Sequence, residues 1–252
     1  MDEKTIATLL ALNRRFYTDF AGSFAASRSP CDPALTRILP AIALGARVLD
    51  VGCGDGRLAT LLERERPGCA YVGVDVVPEL LALARNRAAD LAAVSAHFAL
   101  ADVAQPGWSQ ALRAAGWPWP FDVAVMLAVL HHLPGFERRA AALREVADQV
   151  APDGLVIVST WQFMDSPRLR RKLVGWEQVG LATEALEPGD YLLDWRRGGL
   201  GLRYCHMVDE HELAELARRS KLQVCETFRA GGREGNLSLF ALLRPEAPAA
   251  QP

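Results

Sequence analysis

No Cys-x-x-Cys pair occurs in this 252-residue sequence, whose five cysteines stand apart at positions 31, 53, 69, 205 and 225. That scatter excludes a disulfide framework, a structural zinc site and the three-cysteine cluster of an iron–sulfur radical enzyme. Reduced thiols point to a cytoplasmic protein. The opening Met1-Asp2-Glu3-Lys4 is polar and no apolar run reaches about 18 residues, so neither a signal peptide nor a membrane span is expected. Charge of one sign is missing too: 28 Lys and Arg against 30 Asp and Glu leave a net −2. Such a balance does not advertise a nucleic-acid partner, although a local basic patch could still do so. There are no internal repeats.

What is present is an apolar half (50% of residues), enough to bury the core of one α/β domain with additions. Residues 5–28 carry a helical stripe of Ile6, Leu9, Leu10, Leu12, Phe16, Phe20 and Phe24. After Pro40, strand patterns at 46–51, 70–76, 95–101, 121–127 and 154–161 alternate with helical ones near 56–66, 78–91, 107–115 and 136–150. Such alternation implies right-handed βαβ crossovers and a parallel sheet with helices on both faces. A helix at 209–220 then leads to strands 221–229 and 236–243. Their link is too short for a crossover helix, so these two strands should be antiparallel. Residues 1–45 read as a helical arm contributing to an active-site cover, and 46–161 as a ligand-binding core. Residues 162–208 read as an insertion on the acceptor side, 209–245 as the segment completing the sheet, and 246–252 as a frayed tail.

Val48-Leu49-Asp50-Val51-Gly52-Cys53-Gly54-Asp55-Gly56-Arg57 is the most informative stretch. A β-branched run ends in an acid, turns through three glycines and enters a helix, as a loop does that lets a ligand approach bare backbone. A dinucleotide fingerprint wants Gly-x-Gly-x-x-Gly, but Arg57 stands where the third glycine belongs. A phosphate-binding P-loop needs Gly-Lys-Ser/Thr, which is absent. The remaining pattern, Asp-x-Gly-x-Gly-x-Gly, resembles motif I of the class I S-adenosylmethionine (SAM) methyltransferases. That resemblance implies a Rossmann-like, seven-stranded, mostly parallel sheet with an antiparallel last strand.

Other strand ends agree. Ligands of open α/β sheets bind outside the carboxyl ends of the strands. Asp50 with Gly52, Cys53 and Gly54 would take the methionine part of SAM. Asp75, 23 residues after Gly52, would accept the ribose hydroxyls, with Val76 beside it. Asp102 and Val103 would take the adenine amine and ring, and Leu127 opens the wall near the sulfonium. An Asp that only caps a helix, or sits in a surface turn, is the bland alternative for Asp50 and Asp102.

The acceptor is less plainly written. The Asn/Asp-Pro-Pro-aromatic loop of many amino methyltransferases is missing after the fourth strand, where His131 and His132 offer a general base or helix-entry histidines. Pro30-Cys31 resembles a pyrimidine C5 nucleophile pair but precedes the first strand, so Cys31 is taken as structural. The chain also resembles the tRNA wobble-uridine carboxymethyl methyltransferases, the AlkB-homologue-8 family. The likeness rests on Phe16-Tyr17, Ala21, Phe24 and Ser27-Arg28; on Leu127 to His132 with Glu137-Arg138-Arg139 and Trp161; and on Gly189-Asp190, Trp195, Arg203-Tyr204-Cys205-His206 and Gly235-Asn236. It implies methylation of the 5-carboxymethyluridine carboxylate, with Tyr17, Arg28, His131, Arg203 and His206 near the acceptor. It also implies tRNA as partner, with a small activator subunit as a further candidate. Departures are Ser29-Pro30-Cys31-Asp32-Pro33 after Arg28 and Leu237 after Asn236. In 162–208, seven basic residues face six acids, near balance, which reads as a solvated face. The alternatives are a small-molecule O-methyltransferase and a non-catalytic SAM- or RNA-binding partner protein. No metal is expected.

Overall fold

The first five strand segments pair in parallel because a helix-length connection separates each from the next, and the innermost of them are buried on both faces. In the computed structural model, which describes residues 1–28 and 32–246, seven strands run in the order β3-β2-β1-β4-β5-β10-β9. They are β1 (Arg47–Val51), β2 (Ala70–Asp75), β3 (Ser95–Leu100), β4 (Phe121–Leu127), β5 (Val150–Trp161), β9 (Leu222–Ala230) and β10 (Ser238–Pro245). β1 to β5 pair in parallel, while β10 is antiparallel to both β5 and β9. The antiparallel last strand and the Rossmann-like order are those expected. Strand β1 lies between β2 and β4, so its carboxyl end, and the glycine loop behind it, falls at the point where the strand order reverses.

Successive strand residues face opposite sides. Leu49 and Val51 join one buried cluster with Leu143 and Val146 of α7 (Phe136–Ala147) and Leu213 and Leu216 of α9 (Glu210–Arg219). Val48 joins another with Leu58 and Leu62 of α4 (Arg57–Glu65), Leu81 of α5 (Pro78–Ala88) and Leu35 of α3 (Pro33–Ile38). Between β3 and β4 lies α6 (Gln110–Ala114).

Two readings of the sequence change. The helical stripe over 5–28 is two helices, α1 (Glu3–Asp19) and α2 (Ala21–Ala26), broken at Phe20 with φ −113° and ψ 15°. The bend gathers Phe16 and Phe24 into one cluster with Trp195, whose ring meets Phe16 edge-on at 5.6 Å. Residues 162–208 contain α8 (Pro167–Arg170) and an antiparallel sheet of β6 (Leu173–Val174), β7 (Asp190–Trp195) and β8 (Gly201–His206). Cys31 and the tail from 247 lie outside the described residues. Among those described, no helix is long and apolar enough to cross a membrane.

A buried charge network fastens the small sheet to the core. Arg139 of α7, 1% exposed, donates from Nε to Glu212 at 2.8 Å and from Nη2 to Glu187 at 3.0 Å. His206 faces Asp190 at Nδ1 (2.7 Å) and Glu212 at Nε2 (2.8 Å). Burial lowers the basicity of His206, but the two carboxylates outweigh it and raise its pKa above the ordinary 6.5. A histidine with a raised folded-state pKa adds stability in full below about pH 6.5 and loses it as pH rises through the folded value. The difference in urea midpoint between the native chain and His206→Gln should therefore be larger at about pH 5.5 than at about pH 8.5; an unchanged difference would mean that folding leaves the imidazole pKa where it is in the unfolded chain.

Candidate active site

The glycine loop holds its shape through β2. The amides of Gly52 and Cys53 both donate to the Val74 carbonyl, at 2.8 and 2.9 Å. Asp75, closing β2, accepts from the Gly54 amide at 2.9 Å through Oδ2 and from the Val77 amide at 2.9 Å through Oδ1. A carboxylate has about four acceptor positions, so two remain for a ligand. Burial raises the Asp75 pKa, against these backbone donors. Gly52 sits at φ +74°, and a Cβ there would lie 2.3 Å from Val129 Cγ2. Gly54, at φ +58°, would point a Cβ into open space at the pocket edge.

A pocket of about 840 Å³, partly open to solvent, lies over this loop. Gly52, Gly54, Asp75, Val76, Asp102, Val103 and Leu127 line it, as do Tyr17 and Arg28. Asp50 and Cys53 lie beneath the loop. Asp50 is 4% exposed and accepts the Tyr71 phenol proton at 2.6 Å; burial, moderated by that bond, raises its pKa to about 7. Asp102 accepts from Ala104 N at 3.1 Å and from Arg14 at 2.7 Å, so α1 is latched across the far end of the pocket.

Helix α1 is seated by Asn13, which exchanges hydrogen bonds with the Tyr204 backbone: its Nδ2 donates to the carbonyl at 3.1 Å and its Oδ1 accepts from the amide at 2.8 Å. This sets Tyr17 over His132, phenol to Nε2 at 2.7 Å. His132 Nδ1 lies 3.0 Å from the Tyr204 carbonyl, which can only accept, so Nδ1 carries the proton and Nε2 accepts from Tyr17. Burial, with Arg203 nearby, lowers the His132 pKa to about 3. His131 is 1% exposed, turned to the Trp161 amide at 3.3 Å, and held well below its ordinary pKa by burial and by His132.

Arg28 stacks on Phe24, its Cζ 4.2 Å from the ring centre. Burial first, then Arg57, lower its pKa to about 10, so it stays charged at neutral pH. Arg203 stands behind Tyr17, its Cζ 4.5 Å from the Trp161 ring and 5.4 Å from those of Phe16 and Trp195; its Nε is buried with no hydrogen-bond partner among the described residues.

Of the five acceptor-side candidates, Tyr17 and Arg28 therefore line the pocket. Arg203 and His131 sit behind its wall, and His206 belongs to the network with Asp190 and Glu212. His132, rather than His131, presents its ring to the pocket. Asn13 and Arg14 were not singled out by sequence. With Leu10 and Tyr17 they occupy positions i, i+3, i+4 and i+7, one helical face, and that spacing was the available signal.

Residues 24–227 match the methyltransferase domain family, and the chain belongs to it. The fold is shared with solved SAM-dependent methyltransferases. The CcbJ methyltransferase from Streptomyces caelestis superposes with a TM-score of 0.65 at 18% identity, over 92% of this chain and 98% of that one. Magnesium protoporphyrin IX methyltransferase from Synechocystis with bound SAM gives 0.58 at 17%, over 98% of both. Among curated relatives, a tRNA (carboxymethyluridine(34)-5-O)-methyltransferase from Arabidopsis thaliana is 26% identical over 58% of this chain, and a ubiquinone biosynthesis O-methyltransferase from Neisseria meningitidis is 37% identical over 73%. The chain spans 32% and 66% of their lengths. The chain thus carries a methyltransferase domain on the fold that those SAM-dependent enzymes share. A glycine loop open at Gly54 and acids with spare acceptor positions at 75 and 102 fit that cofactor.

Gly52→Ala should weaken SAM binding at least about tenfold, because the methyl group collides with Val129 at a strained φ. Adding Val129→Ala should recover part of it, as read by calorimetry; no recovery would mean that backbone strain alone is responsible.

Proposed function

We propose that this enzyme methylates a carboxylate oxygen, and that the carboxylate is that of 5-carboxymethyluridine at the tRNA wobble position. One observation carries the reading: the pocket wall pairs a charged Arg28 with a histidine too weakly basic to take a proton at neutral pH. A phenol or alcohol acceptor needs a base whose pKa lies near the working pH. A carboxylate arrives ionised and needs only a cation to orient it. The likeness to the Arabidopsis tRNA enzyme supports the same acceptor class.

In this reading Asp75 takes the ribose hydroxyls, Asp102 and Val103 the adenine, and the loop from Gly52 to Gly54, over Asp50, the methionine end. When bound, SAM supplies a sulfonium-borne methyl group open to in-line displacement. Arg28 turns the acceptor carboxylate toward it, and the Tyr17–His132 bond closes the wall against water. Arg203 holds Tyr17 in place and adds positive potential without touching the acceptor.

The test is incubation with labelled SAM and total small RNA, then digestion. Label in a nucleoside that mild alkali releases as methanol is expected, since a methyl ester hydrolyses and an aryl ether does not. Unlabelled RNA, with alkali-stable label appearing when a small-molecule extract takes the place of the RNA, would replace this reading with that of a small-molecule O-methyltransferase. Arg28→Ala should raise KM for the acceptor about tenfold or more while leaving SAM affinity near native; an unchanged acceptor KM would remove Arg28 from the site.

A further inference from the structure

We infer that a second groove on the same sheet edge, lined by Arg168, Arg171 and Arg233, binds backbone phosphates of a polynucleotide acceptor. The groove encloses about 860 Å³, partly open, between the start of α8 and the β9–β10 turn, with Ser166, Glu234, Asn236 and Leu237 also in its lining. Arg168 and Arg171 are three apart around a helical turn and so share a face, while Leu169 between them is buried and anchors it. Arg233 reaches the groove from the opposite turn.

The near balance of charge in 162–208 dissolves once partners are assigned. Asp194 pairs with Lys172 and Arg196, Asp165 with Arg229, and Glu187 and Asp190 with Arg139 and His206. None of the three groove arginines has a carboxylate partner among the described residues. Glu234 is the one acid in the lining, which leaves the groove two charges positive.

Its place argues for a long ligand. Strand β5 ends at Trp161, whose amide donates to His131 beside the methyl-transfer pocket, and Trp161 pairs with Ser238 at the start of β10. The groove follows directly, with the Gln162 amide donating to Leu237 at 2.7 Å. From β4 to β10 is two strand spacings, about 10 Å, or about three stacked nucleotides. An acceptor held at Arg28 and continuing along this edge as a chain of anions would bring its phosphates to these arginines. Isolated arginines of this kind donate in forks that suit phosphate oxygens.

The inference rests on the nucleic-acid reading of the acceptor, and the two can fail separately. The binding probe is a fluorescein-labelled oligouridylate of about 20 nucleotides, titrated by anisotropy across a salt series. For the triple variant Arg168→Gln, Arg171→Gln, Arg233→Gln, affinity should fall about tenfold and the slope of log K against log salt should flatten by about 2. Glu234→Gln, which removes the groove's one negative charge, should tighten binding. Native affinity and slope in the triple variant would overturn the groove, as would equal competition by polyglutamate and by unlabelled RNA. If native enzyme leaves tRNA unmethylated while the slope still flattens, the wobble-uridine reading falls and the groove stands. If native enzyme and triple variant methylate tRNA with the same KM, the groove falls and that reading stands.

Discussion

The Asp75 carboxylate is the joint on which the site is assembled. By taking the Gly54 and Val77 amides on its two oxygens, it fixes the glycine loop after β1 to the end of β2 and the start of α5. Buried groups of this kind persist only when their hydrogen bonds are made, and here the bonds come from the loop that the ligand must approach. Val129 packs into the space that Gly52 leaves by lacking a side chain, so the turn after β4 and the loop after β1 are set by one another. Cofactor geometry thus follows from the sheet order, since β1 touches both β2 and β4.

The acceptor side is governed by a different constraint, an excess of positive charge with little basicity. Arg28 and Arg203 raise the potential on this side of the pocket, and burial first, then His132 in the case of His131, then this field keep His131 and His132 neutral. An anionic acceptor relieves that excess, whereas a neutral one does not. The Arg14–Asp102 bridge adds a contact between α1 and the turn after β3, so the helix that carries Tyr17 also borders the Asp102 end of the pocket.

Much of this was legible in the sequence. The strands, their acidic ends and the short β9–β10 link follow from period and turn chemistry, which act locally. Side-chain direction within an irregular turn does not. His131 and His132 are adjacent on a 3-10 turn with three residues per revolution, so they point about 120° apart, and composition gives no reason to choose between them. His206 reads as an acceptor-side residue until Asp190 and Glu212 are seen to claim both ring nitrogens. Charge balance in 162–208 is a sum over residues, and only the pairing shows that Asp165, Glu187, Asp190 and Asp194 are spent within the scaffold while Arg168 and Arg171 are left for solvent or ligand. Phe20 looks like a member of a continuous stripe because apolar spacing survives a bend that brings Phe16 and Phe24 together.

The pH dependence of single-turnover methyl transfer tests the central claim most directly, with saturating SAM and subsaturating acceptor. A pre-ionised acceptor held by Arg28 predicts a rate that is flat from about pH 5.5 to about 9 and falls as Arg28 loses its proton near pH 10. A rate that climbs steadily through neutral pH, as a titrating base or phenol would give, contradicts it.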